Sequence, residues 1–303
     1  MNDRLLTLAL ASALALTGCV GAQSEEDQPL VVATTTIVGD LVDQVGHDCV
    51  RLEVLMPFGA DPHDFSPSAR HAADLRDADL IVTSGLGLES GLVDALAAAR
   101  GEGVPILELG ENLAPLSVEG DEDTSLDPHW WLDPNRAAAA VHLIAEQLSA
   151  ASDDPAVGLT LAPRAEAAAA NLSMLGQQMT NALDRIPPEQ RRLFTSQDEL
   201  RYLAERFGFE VGGVIADDAT LDRASDQDGL AGLADAMQAG GIDAVFTDST
   251  ASAHRAEALA ARVGEEAEVV ALDVCSLGGP GSGAETYSEM MRTTADRIAE
   301  ALT

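Results

Sequence analysis

The sequence predicts an α/β protein of two lobes, each a parallel sheet flanked by helices, joined by one long rigid helix. Short β-branched runs alternate with amphipathic helical stretches from residue 30 to about 150, which is the pattern of βαβ units. The same alternation resumes after residue 190. Between the two series lies an alanine-rich segment, which favours a continuous helix.

Four short apolar runs in the first series have the length and composition of buried strands. They are LVVATT (30–35), RLEVLM (51–56), DLIVTS (79–84) and VPILEL (104–109). Helices are expected near 39–45, over 66–78, near 89–100, and from Pro134 to about residue 150. Proline is well tolerated at the first position of a helix because its missing N–H would have no partner there. These elements predict an N-terminal α/β lobe over 30–160.

A connecting helix is predicted over 161–186, because Ala162–Arg185 is rich in alanine and has Pro163 in its first turn. About 22 helical residues reach about 33 Å, which is enough to bridge two lobes. A second series of strands then follows, at RLFTS (192–196), EVGGVI (210–215), IDAVFT (242–247) and EVVALD (268–273). Helices separate these strands and a last one is expected over about 286–302, so the C-terminal α/β lobe is predicted over 187–303.

The N-terminus has the features of a bacterial lipoprotein leader. Residues 5–16 form an apolar run of 12 residues, which is too short to span a bilayer and suits a signal peptide. The run ends in Leu16-Thr17-Gly18-Cys19, which resembles a lipobox. We therefore predict a signal peptide over 1–18, a lipid on Cys19, and a small polar tether over 19–29. The mature protein would be anchored at the extracytoplasmic face of a bacterial membrane, in the periplasm or at the cell surface.

The charge of the chain argues against one class of partner. There are 51 acidic and 17 basic residues, for a net charge of -34, and the sequence contains no lysine. Nucleic-acid binding requires a basic face for phosphate contact. The sequence therefore predicts no nucleic-acid partner.

The tripeptide Asp-Pro-His occurs twice, as Asp61-Pro62-His63 and as Asp127-Pro128-His129. The first copy follows a predicted strand and the second precedes a predicted helix. Parallel α/β sheets bind ligands in such loops, at the carboxyl ends of their strands. Histidine is a common metal ligand whose second ring nitrogen needs a hydrogen-bond acceptor. His63 and His129 are therefore candidate metal ligands, with the nearby Asp61, Asp127 and Asp133 as candidate acceptors.

Five stretches of the chain, in register over nearly all of the mature sequence, resemble one family. They are VVATTTIVGDLVDQVG, VLMPFGADPHDFSPSARHAADLRDADLIVTSGLGLE, DPHWWLDP, TSQDELRYLAERFG and SLGGPGSGAETYSEMMR. They resemble the metal-binding lipoprotein family, the zinc or manganese solute-binding proteins of ABC transporters. The resemblance implies one metal ion in the cleft between the lobes, with His63 and His129 as ligands. It also implies delivery to a cognate permease, a monomer, and no enzymatic activity.

The second lobe departs from this family at both of its expected ligands. The residue after Thr-Ser is usually His or Glu, and here it is Gln197, with Asp198 next to it as an alternative. The fourth ligand is usually the Asp of Asp-Ser-Leu-Gly, and here Cys275 occupies that position. Asp273, two residues earlier, is a less favoured alternative. Asp248 follows a predicted strand and could orient a ligand from the cleft.

Two imidazoles with a thiolate suit zinc, or copper as the second choice, whereas manganese prefers oxygen ligands. We therefore predict Zn²⁺, with copper and then Mn²⁺ as alternatives. Cys275 could instead be a buried structural residue or form a disulfide with Cys49, which extracytoplasmic conditions permit.

Two other functions remain open from the sequence. A zinc hydrolase would need an open coordination position and a general base; Asp198 could be that base, but there is no HExxH-type motif. The altered residues Gln197 and Cys275 also allow a surface adhesin or structural lipoprotein whose metal site is degenerate.

Overall fold

The computed structural model describes residues 28–118, 125–152, 154–215 and 223–303. The predicted signal peptide, the lipidation site Cys19 and most of the tether lie outside these residues. Within the described ranges, no helix combines the length and the apolar character that crossing a membrane requires.

The elements follow the order that the sequence predicts. In the described ranges, the strands are β1 (Leu30–Ala33), β2 (Arg51–Val54), β3 (Leu80–Thr83), β4 (Ile106–Glu108), β5 (Arg192–Thr195), β6 (Glu210–Val214), β7 (Ala244–Asp248) and β8 (Glu268–Leu272). The helices are α1 (Thr36–Gly46), α2 (Ala69–Asp77), α3 (Val93–Gly101), α4 (Pro134–Ala151), α5 (Pro155–Leu183), α6 (Arg201–Phe207), α7 (Arg223–Gly240), α8 (His254–Val263) and α9 (Tyr287–Ala301).

The strands form two parallel four-stranded sheets with one shared topology. The first sheet has the order β2-β1-β3-β4 and the second the order β6-β5-β7-β8. In each sheet the strand order reverses direction between the two central strands, and ligands bind at the carboxyl ends of strands beside such a reversal. The predicted two-lobe α/β fold is therefore confirmed, and the two reversal points mark where a cleft site belongs.

The central strands of the first sheet are apolar except for Thr83 because both of their faces are covered. All four residues of β1 and all four of β3 are buried, as expected for parallel strands between two layers of helices. The helix α1 begins directly after β1, where the side chain of Thr35 accepts a hydrogen bond from the backbone N–H of Val38. This cap ends the strand and fixes the start of the helix beside the cleft.

The connecting helix α5 begins at Pro155, earlier than predicted. The carboxylate of Asp154 caps it by accepting a hydrogen bond of 2.8 Å from the N–H of Ala156, and Pro155 occupies the first position. Pro163, which was predicted in the first turn, lies inside the helix. The 29 residues span about 43 Å. One face of α5 packs against α4 and α1 of the first lobe and against α9 of the second, so the helix links both lobes.

Candidate metal site

The two Asp-Pro-His motifs form the same local turn. The carboxylate of Asp61 accepts a hydrogen bond of 2.9 Å from the backbone N–H of His63, and Asp127 accepts one of 2.9 Å from that of His129. An Asp that caps the backbone two residues later forms an Asx turn, and the intervening proline restricts the chain to it. The repeated tripeptide therefore builds a rigid turn that presents a histidine.

The side chains of His63 and His129 lie close together in the first lobe. Their Nε2 atoms lie 3.2 Å apart. The Nδ1 atom of His129 lies 2.8 Å from the Asp127 carboxylate, so this carboxylate holds the proton on Nδ1 and leaves a lone pair on Nε2. His129 is buried, whereas His63 is exposed. The imidazoles are thus oriented as a pair of nitrogen donors, and the ring of His129 is held by Asp127.

Cys275 completes a group of three possible ligands. The Cys275 Sγ and one nitrogen from each of His63 and His129 all lie within 4.8 Å of one another. The loop that carries Cys275 follows β8 and is held by Asp248, whose Oδ2 accepts hydrogen bonds from the N–H groups of Val274 at 3.0 Å and Cys275 at 2.9 Å. Asp248 therefore orients a site residue from the second lobe, through its backbone.

Desolvation shifts the protonation of two of these groups, His63 and Cys275. Although the residue as a whole is exposed, partial desolvation of its ring, and then the neighbouring His129, lower the pKa of His63 below its ordinary value. Burial raises the pKa of the Cys275 thiol well above its ordinary value, and the nearby carboxylates of Asp248 and Glu199 raise it further. Without an ion, these shifts favour a neutral His63 imidazole and a protonated Cys275 thiol.

Three predicted site residues have other partners in the structure. Asp133 caps α4 and pairs with Arg136 at 2.8 Å, so the prediction that it orients a histidine does not agree with the structure. The carboxylate of Asp273 accepts a hydrogen bond of 2.6 Å from Ser249 and pairs with an arginine. Asp198 pairs with Arg201 at 2.6 Å. An arginine pairs with each of these carboxylates, although the Oδ1 of Asp198 is buried without a hydrogen-bond partner.

The remaining predicted residues are simpler to place. Asp61 contacts the backbone of His63 rather than its ring, so it shapes the turn. Gln197 is half-buried in the loop after β5, which is a central strand of the second sheet. Cys275 is a free thiol, so the alternative in which it forms a disulfide with Cys49 is wrong.

Sequence reasoning missed Glu199, which lies two residues beyond Gln197 in the same loop. Its side chain is only 3% exposed, and His129 and Asp248 are among the charged groups that act on it. Burial raises its pKa to about 7. The family resemblance directed attention to the position after Thr-Ser, and an acidic residue just before the apolar Leu200 was the available signal.

Hydrogen bonds join the two lobes around the site. Ser276, next to Cys275, accepts a hydrogen bond of 2.9 Å from the N–H of Gly59, in the loop that carries His63. The indole N–H of Trp131 donates to the carbonyl oxygen of Val274 at 2.7 Å. These contacts fix the loops of one lobe against those of the other, so the ligand positions depend on both.

Comparisons with known proteins place the chain among metal-binding transport proteins. Residues 31–301 match the family described as "Zinc-uptake complex component A periplasmic". The manganese-binding lipoprotein MntA of Halalkalibacterium halodurans is 28% identical, covering 96% of this chain and 95% of that protein. The iron-binding protein YfeA of Yersinia pestis is 29% identical over 98% of this chain and 94% of its own length. The structure of the zinc-binding protein TroA of Treponema pallidum has a TM-score of 0.81 at 27% identity, covering 91% of this chain and 99% of that one.

Proposed function

This chain belongs to the zinc-uptake complex component A family of periplasmic proteins, and we propose that it captures zinc in the cleft between its lobes and delivers it to an ABC permease. Membership of this family also confirms the prediction of a transport protein rather than a hydrolase. Relatives are named for manganese, iron and zinc, so the choice of zinc rests on the residues of this chain.

One distance carries the proposal. Two nitrogens bound to a single tetrahedral zinc at about 2.0–2.1 Å each lie about 3.3–3.4 Å apart. The Nε2 atoms of His63 and His129 are already 3.2 Å apart, so an ion could bind both with little movement. This distance between the two Nε2 atoms favours a first-row metal ion with nitrogen ligands. Charge or burial alone would not favour one kind of ion.

The thiol of Cys275 favours zinc over the manganese and iron of some relatives. A thiolate is a soft ligand that suits zinc and copper, whereas manganese prefers carboxylate, carbonyl and water oxygens. Copper is the second candidate, because two histidines, a cysteine and a weak ligand such as Gln197 are also the donors of many copper sites. Zinc is preferred because its tetrahedral sites accept this donor set without a change of redox state.

The location and partners follow from the same proposal. A lipid on Cys19 and the tether over 19–29 would hold the two lobes, on either side of α5, close to the membrane that contains the permease. The chain would act as a monomer, since one chain supplies every proposed ligand. Labelling with radioactive palmitate tests the anchor. After gel electrophoresis, the wild-type protein should carry the label and a Cys19→Ala variant should not.

The first test is the zinc content and zinc affinity of the soluble mature protein beside those of Cys275→Ser and His63→Ala. We expect one zinc per chain, with binding weakened about 100-fold or more in each variant. His47→Ala is the control, because its side chain is 70% exposed at the far end of α1. Equal binding by Cys275→Ser would remove the thiolate from the site. A wild-type protein that binds no zinc, copper or manganese would overturn the capture function and leave the degenerate-site lipoprotein.

A further inference from the structure

A groove of about 360 Å³ opens on the surface where the two lobes meet. The first lobe contributes α1, β2 and the loop after β2, and the second contributes Leu277 and Glu285 from the loop between β8 and α9. The proposed ligand His63 lies five residues beyond Phe58 of one wall, and Cys275 lies two residues before Leu277 of the other. A molecule in this groove would therefore contact both of the loops that carry these ligands.

The walls of the groove display apolar side chains that the fold leaves uncovered. Val54 is 41% exposed and Phe58 is 55% exposed, and both line the groove. β2 lies at the edge of the first sheet, and its residues Leu52 and Val54 point to the same face because side chains alternate along a strand. Two of the six large apolar side chains that are exposed within the described residues thus meet here. Apolar side chains that cluster at the surface, unlike scattered ones, indicate an interaction site.

The rim of the groove is acidic. Asp40, Asp43 and Glu285 line it, and none of the described residues that line it is basic. The Asp40 carboxylate is already used within the protein, since it accepts a hydrogen bond of 3.3 Å from the N–H of Tyr287. Asp43 and Glu285 are exposed. Apolar walls with an acidic rim fit an apolar side chain that has a cation beside it.

The charge of the rim distinguishes between the possible occupants. A second copy of this chain carries the same net charge of -34, and the predicted tether contains Glu25, Glu26 and Asp27. Both would bring like charge to an acidic rim, which is unfavourable. The permease that receives the ion has to contact this protein, and a basic side chain from its extracytoplasmic surface would complement the rim.

We propose that the ABC permease docks at this groove, by inserting an apolar side chain into it and placing an arginine or lysine beside Asp43 or Glu285. This assignment rests on the proposed function and adds the surface and the chemistry of docking. Covering the apolar walls supplies affinity in proportion to the area removed from water. The charge pair at the rim fixes the orientation and speeds the encounter.

The groove also lies beside a junction between the lobes. The Thr36 hydroxyl, which lines the groove, accepts a hydrogen bond of 2.9 Å from the N–H of Leu277 and lies 3.2 Å from the Ser276 hydroxyl. A side chain inserted here would touch walls from both lobes at once. Docking would therefore act on the loops of His63 and Cys275 without entering the cleft.

The test measures zinc uptake by cells separately from zinc binding by the purified protein. Each variant is produced as the full chain in cells whose own copy of the gene is deleted. We expect Phe58→Ser to slow the uptake of radioactive zinc by about tenfold and to bind zinc as tightly as the wild type. Leu159→Ser is the matched control, because its side chain is 80% exposed on α5, and it should match the wild type in both measurements.

Two further variants test the charge and the partner. Asp43→Arg should slow uptake because it repels the permease cation, whereas Glu166→Arg, which reverses an exposed acid on α5, should not. Phe58 is also replaced by the photoreactive p-benzoylphenylalanine in intact cells. The cross-linked partner, identified by mass spectrometry, should be the membrane-spanning subunit of an ABC transporter.

Several results would overturn the docking assignment alone. They are normal uptake in both Phe58→Ser and Asp43→Arg, a cross-link only to a second copy of this chain, and no cross-link to a permease. A loss of zinc affinity in Phe58→Ser as large as its loss of uptake would also overturn it, because Phe58 would then support the ion site. A wild-type protein that binds no zinc, or that cells do not need for zinc uptake, would overturn the proposed function itself.

Discussion

The two lobes share one sheet topology but prepare their halves of the site differently. In the first lobe, Asp127 holds both the backbone and the ring of His129, so the donor is fixed before any ion arrives. In the second lobe, Asp248 fixes only the backbone at Cys275, and Glu199 keeps a buried oxygen without a partner. The first lobe therefore contributes a histidine oriented in advance, whereas the second contributes a thiol that must lose its proton when an ion binds.

The largest effect should come from removing a donor of the first lobe. We expect His129→Ala to weaken zinc binding by about 100-fold or more, about 2.7 kcal/mol, because it removes a ligand and leaves the buried Asp127 without its ring partner. Isothermal titration measures the affinity. A loss smaller than that of Cys275→Ser would contradict the view that the first lobe fixes the geometry.

A change of pH should alter zinc affinity mainly through the Cys275 thiol of the second lobe. The pKa of the Cys275 thiol is raised well above its ordinary value, so near neutral pH the thiol keeps its proton until an ion displaces it. Zinc affinity should therefore fall by about tenfold for each unit of pH lost. The lowered pKa of His63 delays its protonation to pH values below about 6.5, where the fall should steepen.

Zinc titrations in two buffers of different ionisation enthalpy measure the protons released. We expect about one proton per zinc near pH 7, and fewer in Cys275→Ser. Affinity that stays constant between about pH 5 and 7.5 would show that neither the thiol nor His63 binds the ion.

The two repeated turns should differ in their response to the same substitution. Asp127→Asn should weaken zinc binding by about 10- to 100-fold, because Asp127 sets the protonated nitrogen of the His129 ring. Asp61→Asn should have a smaller effect, since Asp61 contacts only the backbone of His63 and asparagine also forms an Asx turn. Equal losses in the two variants would mean that both carboxylates act mainly through charge.

The smallest effect should come from the contact that joins the lobes beside the thiol. Ser276→Ala removes the acceptor for the Gly59 N–H and should cost about 1 kcal/mol of binding, or about fivefold in affinity. Thermal unfolding of the metal-free variant serves as the control. An unchanged zinc affinity would show that the His63 loop holds its position without this contact.

Most of the fold could be predicted from the sequence, because periodicity reports burial directly. The runs of β1 and β3 are buried throughout and apolar except for Thr83 at the end of β3, which distinguishes them from loops. The start of α5 was missed because this region offers two possible helix starts, at Asp154-Pro155 and at Ala162-Pro163. The Asp154 side chain caps one of them, and Pro163 is tolerated inside the helix.

The candidate site was predictable only in part. The Asp-Pro-His turns are local, so their sequence spacing is enough to identify His63 and His129. The acids of the second lobe are distinguished by distant partners: Arg297 pairs with Asp273, whereas no arginine within the described residues pairs with Glu199. Such pairings depend on tertiary packing and leave no periodic signal in the sequence.

Two tyrosines from the second lobe form buried hydrogen bonds that should slow the release of an ion from the cleft. The hydroxyl of Tyr202 donates to the Asp127 carbonyl oxygen at 2.8 Å, and that of Tyr287 donates to the Trp131 carbonyl oxygen at 2.6 Å. Both bonds are buried and flank the His129 loop. Separating the lobes would break them before the ion is free, so spontaneous escape of the cargo should be slow. The dwell time of the ion would then be set by how quickly a docked permease loosens the His129 loop.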